Sequence, residues 1–172
     1  MAKAVVLSLL LVSILQSKIA FAQDAGQDPS FVSLGVGVYD VIEGADRAAD
    51  FRLEYRHRKG LWIFKPWAGI EATSDGAFYG VVGFYSDFYF GRRIVVSPSV
   101  GTGAYHDGGG LDLGSVFEIR SQLEIAYRFN DRSRLGVAVS HISNASVSDR
   151  NPGTEIVTVY YSLPLGAILP TD

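Results

Sequence analysis

Beyond residue 30 the apolar side chains of this chain recur at every second position. Val32, Leu34, Val36 and Val38 alternate with Ser33, Gly35, Gly37 and Tyr39. Phe51, Leu53 and Tyr55 alternate with Arg52, Glu54 and Arg56. A third run, Trp62-Phe64-Pro66-Ala68-Ile70, is interleaved with Lys65, Trp67, Gly69 and Glu71. Residues 76–89 look strand-like but are apolar on both faces, so the pattern leaves them unoriented. Then Ile94, Val96, Pro98 and Val100 lie opposite Ser97, Ser99, Gly101 and Gly103. Phe117, Ile119, Leu123, Ile125 and Tyr127 are separated by Glu118, Arg120, Gln122, Glu124 and Arg128. Leu135, Val137 and Val139 are separated by Gly136, Ala138 and Ser140, and Val157, Val159, Tyr161 and Leu163 by Thr158, Tyr160 and Ser162. A period of two is that of a strand, whose successive side chains point to opposite faces.

Eight strands result, and their charges share one parity. Arg52, Glu54, Arg56, Glu118, Arg120 and Glu124 all fall on the face opposite the aliphatic one. A soluble carrier of the lipocalin kind would put the aliphatic face inside. Charges inside and aliphatics outside suit a narrow membrane barrel, whose interior is filled by side chains. The expected fold is all-β: an eight-stranded antiparallel transmembrane β-barrel. The inner charges read as a structural network, with an ion path as the sharper alternative. Residues 58–60, 90–92 and 130–132 read as tight turns, and 43–47, 74–76, 106–112 and 145–153 as the alternate connections. In such barrels the short turns are periplasmic and the longer loops external. The end of the chain is less typical, since Gly166–Asp172 follow the last strand.

The first 22 residues stand outside this pattern. Lys3, the apolar run Ala4–Leu15 and the small-x-small triplet Ala20-Phe21-Ala22 make the three parts of a signal peptide, too short in its apolar part to span as a helix. The expected division is therefore a signal peptide over 1–22 and a barrel over 23–172. Cleavage removes Lys3 and Lys18, making a net charge already at −3 more negative. A basic stripe is missing, which argues against nucleic acid. The chain has no cysteine and 19 glycines. Mean hydropathy is +0.18 without a long apolar segment in the mature part, as a barrel requires.

Three histidines bound the search for chemistry. His57 lies beside a basic turn. His106 opens the loop His-Asp-Gly-Gly-Gly-Leu-Asp, whose spacing matches no trusted calcium pattern and whose glycines precede no helix that would cradle phosphate. His141 continues the aliphatic parity of Leu135, Val137 and Val139, and Ser143 follows on the same face. Glu155 shares the parity of Val157 and Val159, and the hairpin returns it beside the seventh strand. Polar groups on a lipid face are costly unless they sit near the interface or have a use. A serine needs a base, and the base needs an orienting group. Ser143, His141 and Glu155 supply those types on one patch. An interfacial polar belt without chemistry explains the same positions. Asn144, Asn151 and the amides of Ala145 and Ser146 are the available donors for an oxyanion.

The run His141-Ile142-Ser143-Asn144-Ala145, followed by Asn151-Pro152-Gly153-Thr154-Glu155 before a last strand, resembles the signature of the lipid A 3-O-deacylase (PagL) family of acyloxyacyl hydrolases. Tyr127-Arg128-Phe129 and Arg134-Leu135-Gly136 add to the resemblance. It implies a serine esterase of the bacterial outer membrane that removes an ester-linked acyl chain, at position 3, from lipid A of lipopolysaccharide. By motif position Ser143 is the nucleophile, His141 the base and Glu155 its orienter, with Asn144 and Asn151 supporting the site. It implies no cofactor and no metal. The expected partners are lipid A and the outer membrane, not nucleic acid; a homodimer is left open. Arg150 and Arg47 are candidate contacts for lipid A phosphates. The rival is a non-catalytic barrel that anchors or adheres.

Overall fold

The computed structural model describes residues 28–169; the expected signal peptide lies outside them. Nine strands form one antiparallel sheet: β1 (Phe31–Tyr39), β2 (Ala48–Arg56), β3 (Lys65–Thr73), β4 (Phe78–Tyr85), β5 (Phe88–Phe90), β6 (Ile94–His106), β7 (Phe117–Arg128), β8 (Arg134–Ser143) and β9 (Thr154–Pro164). From β2 on, every strand but β5 pairs with the one before it, β6 pairs with β4 as well as with β5, and pairing of β1 with β9 closes the ring. β4 and β5 both pair with β6, so they are one barrel strand interrupted at Ser86 and Asp87. The barrel therefore has eight staves. A four-residue helix, α1 (Leu165–Ile168), follows β9.

The alternation reads as expected in space. Leu34, Val36, Phe51, Leu53, Leu135, Val137, Val139 and Val159 face outward and are exposed, forming the apolar belt that lipid would cover. The stretch the pattern could not orient is settled by aromatics: Tyr79, Val81 and Tyr85 are buried, whereas Phe78, Val82 and Phe84 point out. The third strand begins later than expected. Trp62 adopts φ 58° in a turn closed by the pair Leu61 and Phe64, so Trp62 and Phe64 precede β3 and do not belong to it.

The lumen is packed with paired charges. Arg52 Nε lies 2.7 Å from Asp50 and 3.0 Å from Glu71. Arg120 bridges Glu54 and Glu71 and stacks over the Trp67 ring at 4.5 Å. Arg56 lies 2.9 Å from Glu54 and 2.7 Å from Glu124. Tyr160 donates its hydroxyl to Glu54 at 2.9 Å. A second cluster closes the end where the chain enters. Asp28, just before β1, receives Arg128 and Arg134 at 2.6 Å each, and Arg134 reaches Asp87 at 2.9 Å. Burial pushes the Asp28 carboxyl up, but the Tyr89 hydroxyl and the two guanidinium charges outweigh it, and the group titrates below its ordinary value.

Two outcomes are expected. Arg120→Leu takes one of two cations from both Glu54 and Glu71, leaving Arg56 and Arg52 to serve an excess of buried carboxylates, and lowers unfolding free energy in urea by about 3–5 kcal/mol; the loss shrinks when Glu54→Gln is added, and equal losses with and without Glu54→Gln would show that pairing is not the cause. Asp28 has a lowered folded-state pKa, so its contribution is present above the unfolded value near 3.8 and fades as pH falls through the folded one. Asp28→Asn should therefore destabilise at neutral pH and match wild type in strong acid. A pH-independent difference would contradict the ion-pair assignment.

Candidate functional site

The outward polar patch is built by one hairpin. In the β8–β9 register His141 stands directly opposite Glu155. His141 Nδ1 lies 3.1 Å from Glu155 Oε1, with the two side chains 45% and 30% exposed. The pair sits on the lipid-facing parity one step above Val139 and Val157, at the loop end of the barrel. Glu155 is further fixed by its carbonyl, which accepts from the Val41 N–H at 3.0 Å. With Nδ1 engaged by the carboxylate, Nε2 is the nitrogen left for other work. Ser143 ends β8 two residues beyond His141 on the same face, half-buried. Among the described residues its hydroxyl makes no hydrogen bond.

The backbone after Ser143 turns sharply. Ala145 and Ser146 adopt φ 51° and 62°, and the Val147 N–H donates to the Asn144 carbonyl at 3.0 Å. Two successive left-handed residues closed in this way make a type I′ turn, normally the preserve of Asn and Gly. Such strain costs of order 1–3 kcal/mol per residue and persists only where the surroundings impose it. Here they do. Asn144 points inward and is fully buried. Its Nδ2 donates to the Leu113 carbonyl at 3.1 Å, the Arg150 carbonyl at 2.8 Å and Ser148 Oγ at 3.3 Å. Asn144 therefore ties the β6–β7 loop to the β8–β9 loop. Its own N–H donates to Asn151 Oδ1 at 3.0 Å, which fixes the Asn151 carboxamide and leaves its NH₂ uncommitted.

Gly153 completes the site, and nothing in the sequence singles it out from an ordinary turn glycine. It adopts φ +69°, and a Cβ on it would lie 2.8 Å from His141 Cε1. Its bare Cα is thus the wall against which the imidazole rests. Arg150 pairs with Asp112 at 2.6 Å, and Arg47 donates to the Val41 carbonyl at 3.3 Å. His57 lies at the opposite end, hydrogen-bonded to the Tyr55 hydroxyl at 2.9 Å. His106 ends β6 beside Asp107 and is highly exposed. Among the described residues, no group of three His, Asp or Glu is placed to hold a metal ion.

A trough of about 800 Å³ runs along the outer wall, beginning at Phe117 and Ile119 on the strand next to this patch. Ser143 pairs with Ile119, Ile119 with Thr102, Thr102 with Val82, Val82 with Ala68 and Ala68 with Tyr55. The residues from Ile119 to Tyr55 line the trough, with Phe84 and Val100 on one side and Phe117 on the other. Four inter-strand steps make it about 19 Å long. The sequence hides it, because its lining comes from five strands.

Replacing Asn144 by alanine removes the three Nδ2 bonds and leaves buried carbonyls without donors, at a cost of about 1–3 kcal/mol. Hydrogen exchange should then accelerate in residues 107–116 and 144–153 but not in β2 or β7. Unchanged protection in both loops would refute the tie.

The family described as "Lipid A 3-O-deacylase (PagL)" matches residues 43–164. "Lipid A deacylase PagL" of Bordetella bronchiseptica (strain ATCC BAA-588 / NCTC 13252 / RB50) is 26% identical over 77 residues, an alignment covering 44% of this chain and 43% of that protein. The chain thus matches less than half the length of that curated relative. The crystal structure of the outer membrane enzyme PagL superposes with a TM-score of 0.60 at 21% identity, over 78% of this chain and 99% of that one. A de novo designed transmembrane β-barrel reaches 0.56 at 11% identity, over 78% of this chain and 95% of the design. Shape therefore establishes the closed outer-membrane type of barrel and says nothing of chemistry; a homodimer receives no support from these likenesses. Sequence is what separates them, and the family match runs from the first loop through the end of β9, so the chain belongs to the lipid A 3-O-deacylase (PagL) family.

Proposed function

We propose that this protein is a serine esterase of the outer membrane that removes the acyl chain ester-linked at position 3 of lipid A. The observation that carries the reading is the His141–Glu155 pair at 3.1 Å on the lipid-facing wall, with Ser143 next on the same face. A merely structural pair would gain little there. Exposed ion pairs are worth about 0–1 kcal/mol, while polar groups facing lipid are costly.

The chemistry follows from the positions. Lipid A in the outer leaflet lies alongside the wall, and an ester near the headgroup boundary meets Ser143 without leaving the membrane. Ser143 Oγ attacks the ester carbonyl as its proton passes to His141 Nε2. Glu155 accepts the Nδ1 proton in a hydrogen bond, holds that tautomer and stabilises the imidazolium. The oxyanion is met by the Asn151 NH₂ and by amides of the Ala145–Ser146 turn. The bond between carbonyl carbon and sugar oxygen then breaks, and His141 returns the proton to that oxygen. Water, deprotonated by the same imidazole, splits the acyl-enzyme and frees the fatty acid. The trough beginning at Ile119 is apolar and long enough to shelter the acyl chain. Asn144 acts from beneath by holding the turn and Asn151, not as a donor to the oxyanion.

Mass spectrometry of lipid A exposed to the protein tests the reading. Wild type should release one acyl chain, and Ser143→Ala or His141→Ala should lower turnover at least about 10³-fold. Gly153→Ala should shift the imidazole and cost about 10²-fold, mostly in kcat. An intact acyl complement after incubation with folded wild type would favour a non-catalytic barrel, and so would undiminished release by Ser143→Ala.

A further inference from the structure

The end of the barrel opposite the site carries a feature that the esterase reading does not use. The turns there bear Arg58, Lys59, Arg92, Arg93 and Arg132, with Asp131 as their acid. The loops at the other end are rich in acids, Asp40, Glu43, Asp46, Asp107 and Asp149 among them. Four of the arginines at the turn end, Arg92, Arg93, Arg128 and Arg132, converge with Phe129 and Asn130 around a polar hollow of about 460 Å³. It is formed between the β5–β6 and β7–β8 turns.

Among the described residues, two charges in this hollow, those of Arg92 and Arg93, have no acid paired with them. Arg128 is paired with Asp28, and Asp28 also serves Arg134. Asp131 is turned toward its own chain, where Oδ1 accepts from the Ser133 N–H at 3.0 Å and hydroxyl at 2.7 Å. Arg93 donates to the Arg128 carbonyl at 3.3 Å and lies over the Tyr127 ring at 5.7 Å, bonds that orient its guanidinium without neutralising it. Among the described residues Arg92 has no ion pair. Directly beside the hollow, Tyr127 and Phe129 form an edge-to-face pair, with centroids 5.1 Å apart, on the lipid-facing wall. Aromatics at this level mark the boundary between headgroups and acyl chains.

We infer that this hollow binds the phosphate of an anionic glycerophospholipid in the leaflet at the turn end, with Arg92 and Arg93 as its principal charges. The phosphodiester oxygens would accept from the guanidinium groups. The glycerol and upper acyl carbons would rest on Tyr127 and Phe129. A free phosphate shares the anion but gains nothing from the aromatics. A zwitterionic lipid brings a cation into a basic hollow. The inference rests on the barrel spanning a membrane and not on its esterase activity.

Native mass spectrometry of the delipidated full chain in detergent, titrated with phosphatidylglycerol, phosphatidylcholine or inorganic phosphate, provides the test. Phosphatidylglycerol should bind in preference to phosphatidylcholine, and inorganic phosphate should not displace it at comparable concentration. Each arginine near a membrane surface contributes roughly fivefold, so Arg92→Gln with Arg93→Gln should weaken binding about 30-fold. Arg58→Gln with Lys59→Gln, outside the hollow, should leave it nearly unchanged. Heat-modifiable migration on gels reports folding of each variant, and the wild-type lipid comparison needs no variant. Equal binding of the two lipids, displacement by inorganic phosphate, or equal weakening by the two double variants would each overturn the proposal.

Discussion

The ion pairs inside the barrel decide where everything else must be. Eight staves enclose a space that side chains can fill, and here charges fill it. Arg52, Arg56 and Arg120 are held among Asp50, Glu54, Glu71 and Glu124 with almost no exposure. Partners are shared, so removing one member unbalances the buried charges of several others, and the set is held together collectively. A lumen so occupied leaves little room for a lipid. A large amphipathic substrate is therefore offered the outer wall, where Ser121 and Thr102 also interrupt the aliphatic belt, but only His141, Ser143 and Glu155 combine a hydroxyl with an imidazole and a carboxylate.

That arrangement was legible in the sequence wherever one face was charged. Arg52-Leu53-Glu54 and Glu118-Ile119-Arg120 declare their inside and outside, because a one-residue slip would put charges into lipid. The same parity placed His141 and Glu155 on the outside, and the hairpin register then set them opposite each other. Legibility ended where both faces were apolar. Tyr79 and Tyr85 face inward because their hydroxyls reach the Glu118 and His57 carbonyls, partners distant in sequence. Trp62 and Phe64 continue the alternation by type, yet a left-handed turn takes them out of the strand.

The candidate site shows the same limit more sharply. Asn144 and Asn151 stand out as polar residues beside Ser143, and both read as donors. Only packing separates them. One step of parity sends Asn144 inward, where it spends its amide protons on two loops, and leaves Asn151 with a free NH₂. Gly153 is legible as a turn residue, but its role against the imidazole depends on His141 Cε1 lying 2.8 Å from where a Cβ would stand, which no local pattern encodes. Candidates for chemistry advertise themselves by type; the residues that hold them do so by contacts.

Strain and clamping are two halves of one device at the loop end. The Ala145–Ser146 turn sits in a conformation that side chains disfavour, and Asn144 supplies the contacts that keep it there. The tie is internal, so the turn's amides are set without a ligand, and if they meet the oxyanion as proposed, donors fixed in advance cost no reorganisation during reaction. A lipid-facing site has particular need of this. The patch lies open on the outer wall at the edge of the lipid, with His141 45% and Glu155 30% exposed. In the proposed reaction, the rigid lumen below and the clamped turn above would do for this surface what a closed pocket does for a soluble esterase: they would fix the donors, the base and the nucleophile, while the surrounding lipid supplies the low dielectric that makes fixed dipoles effective.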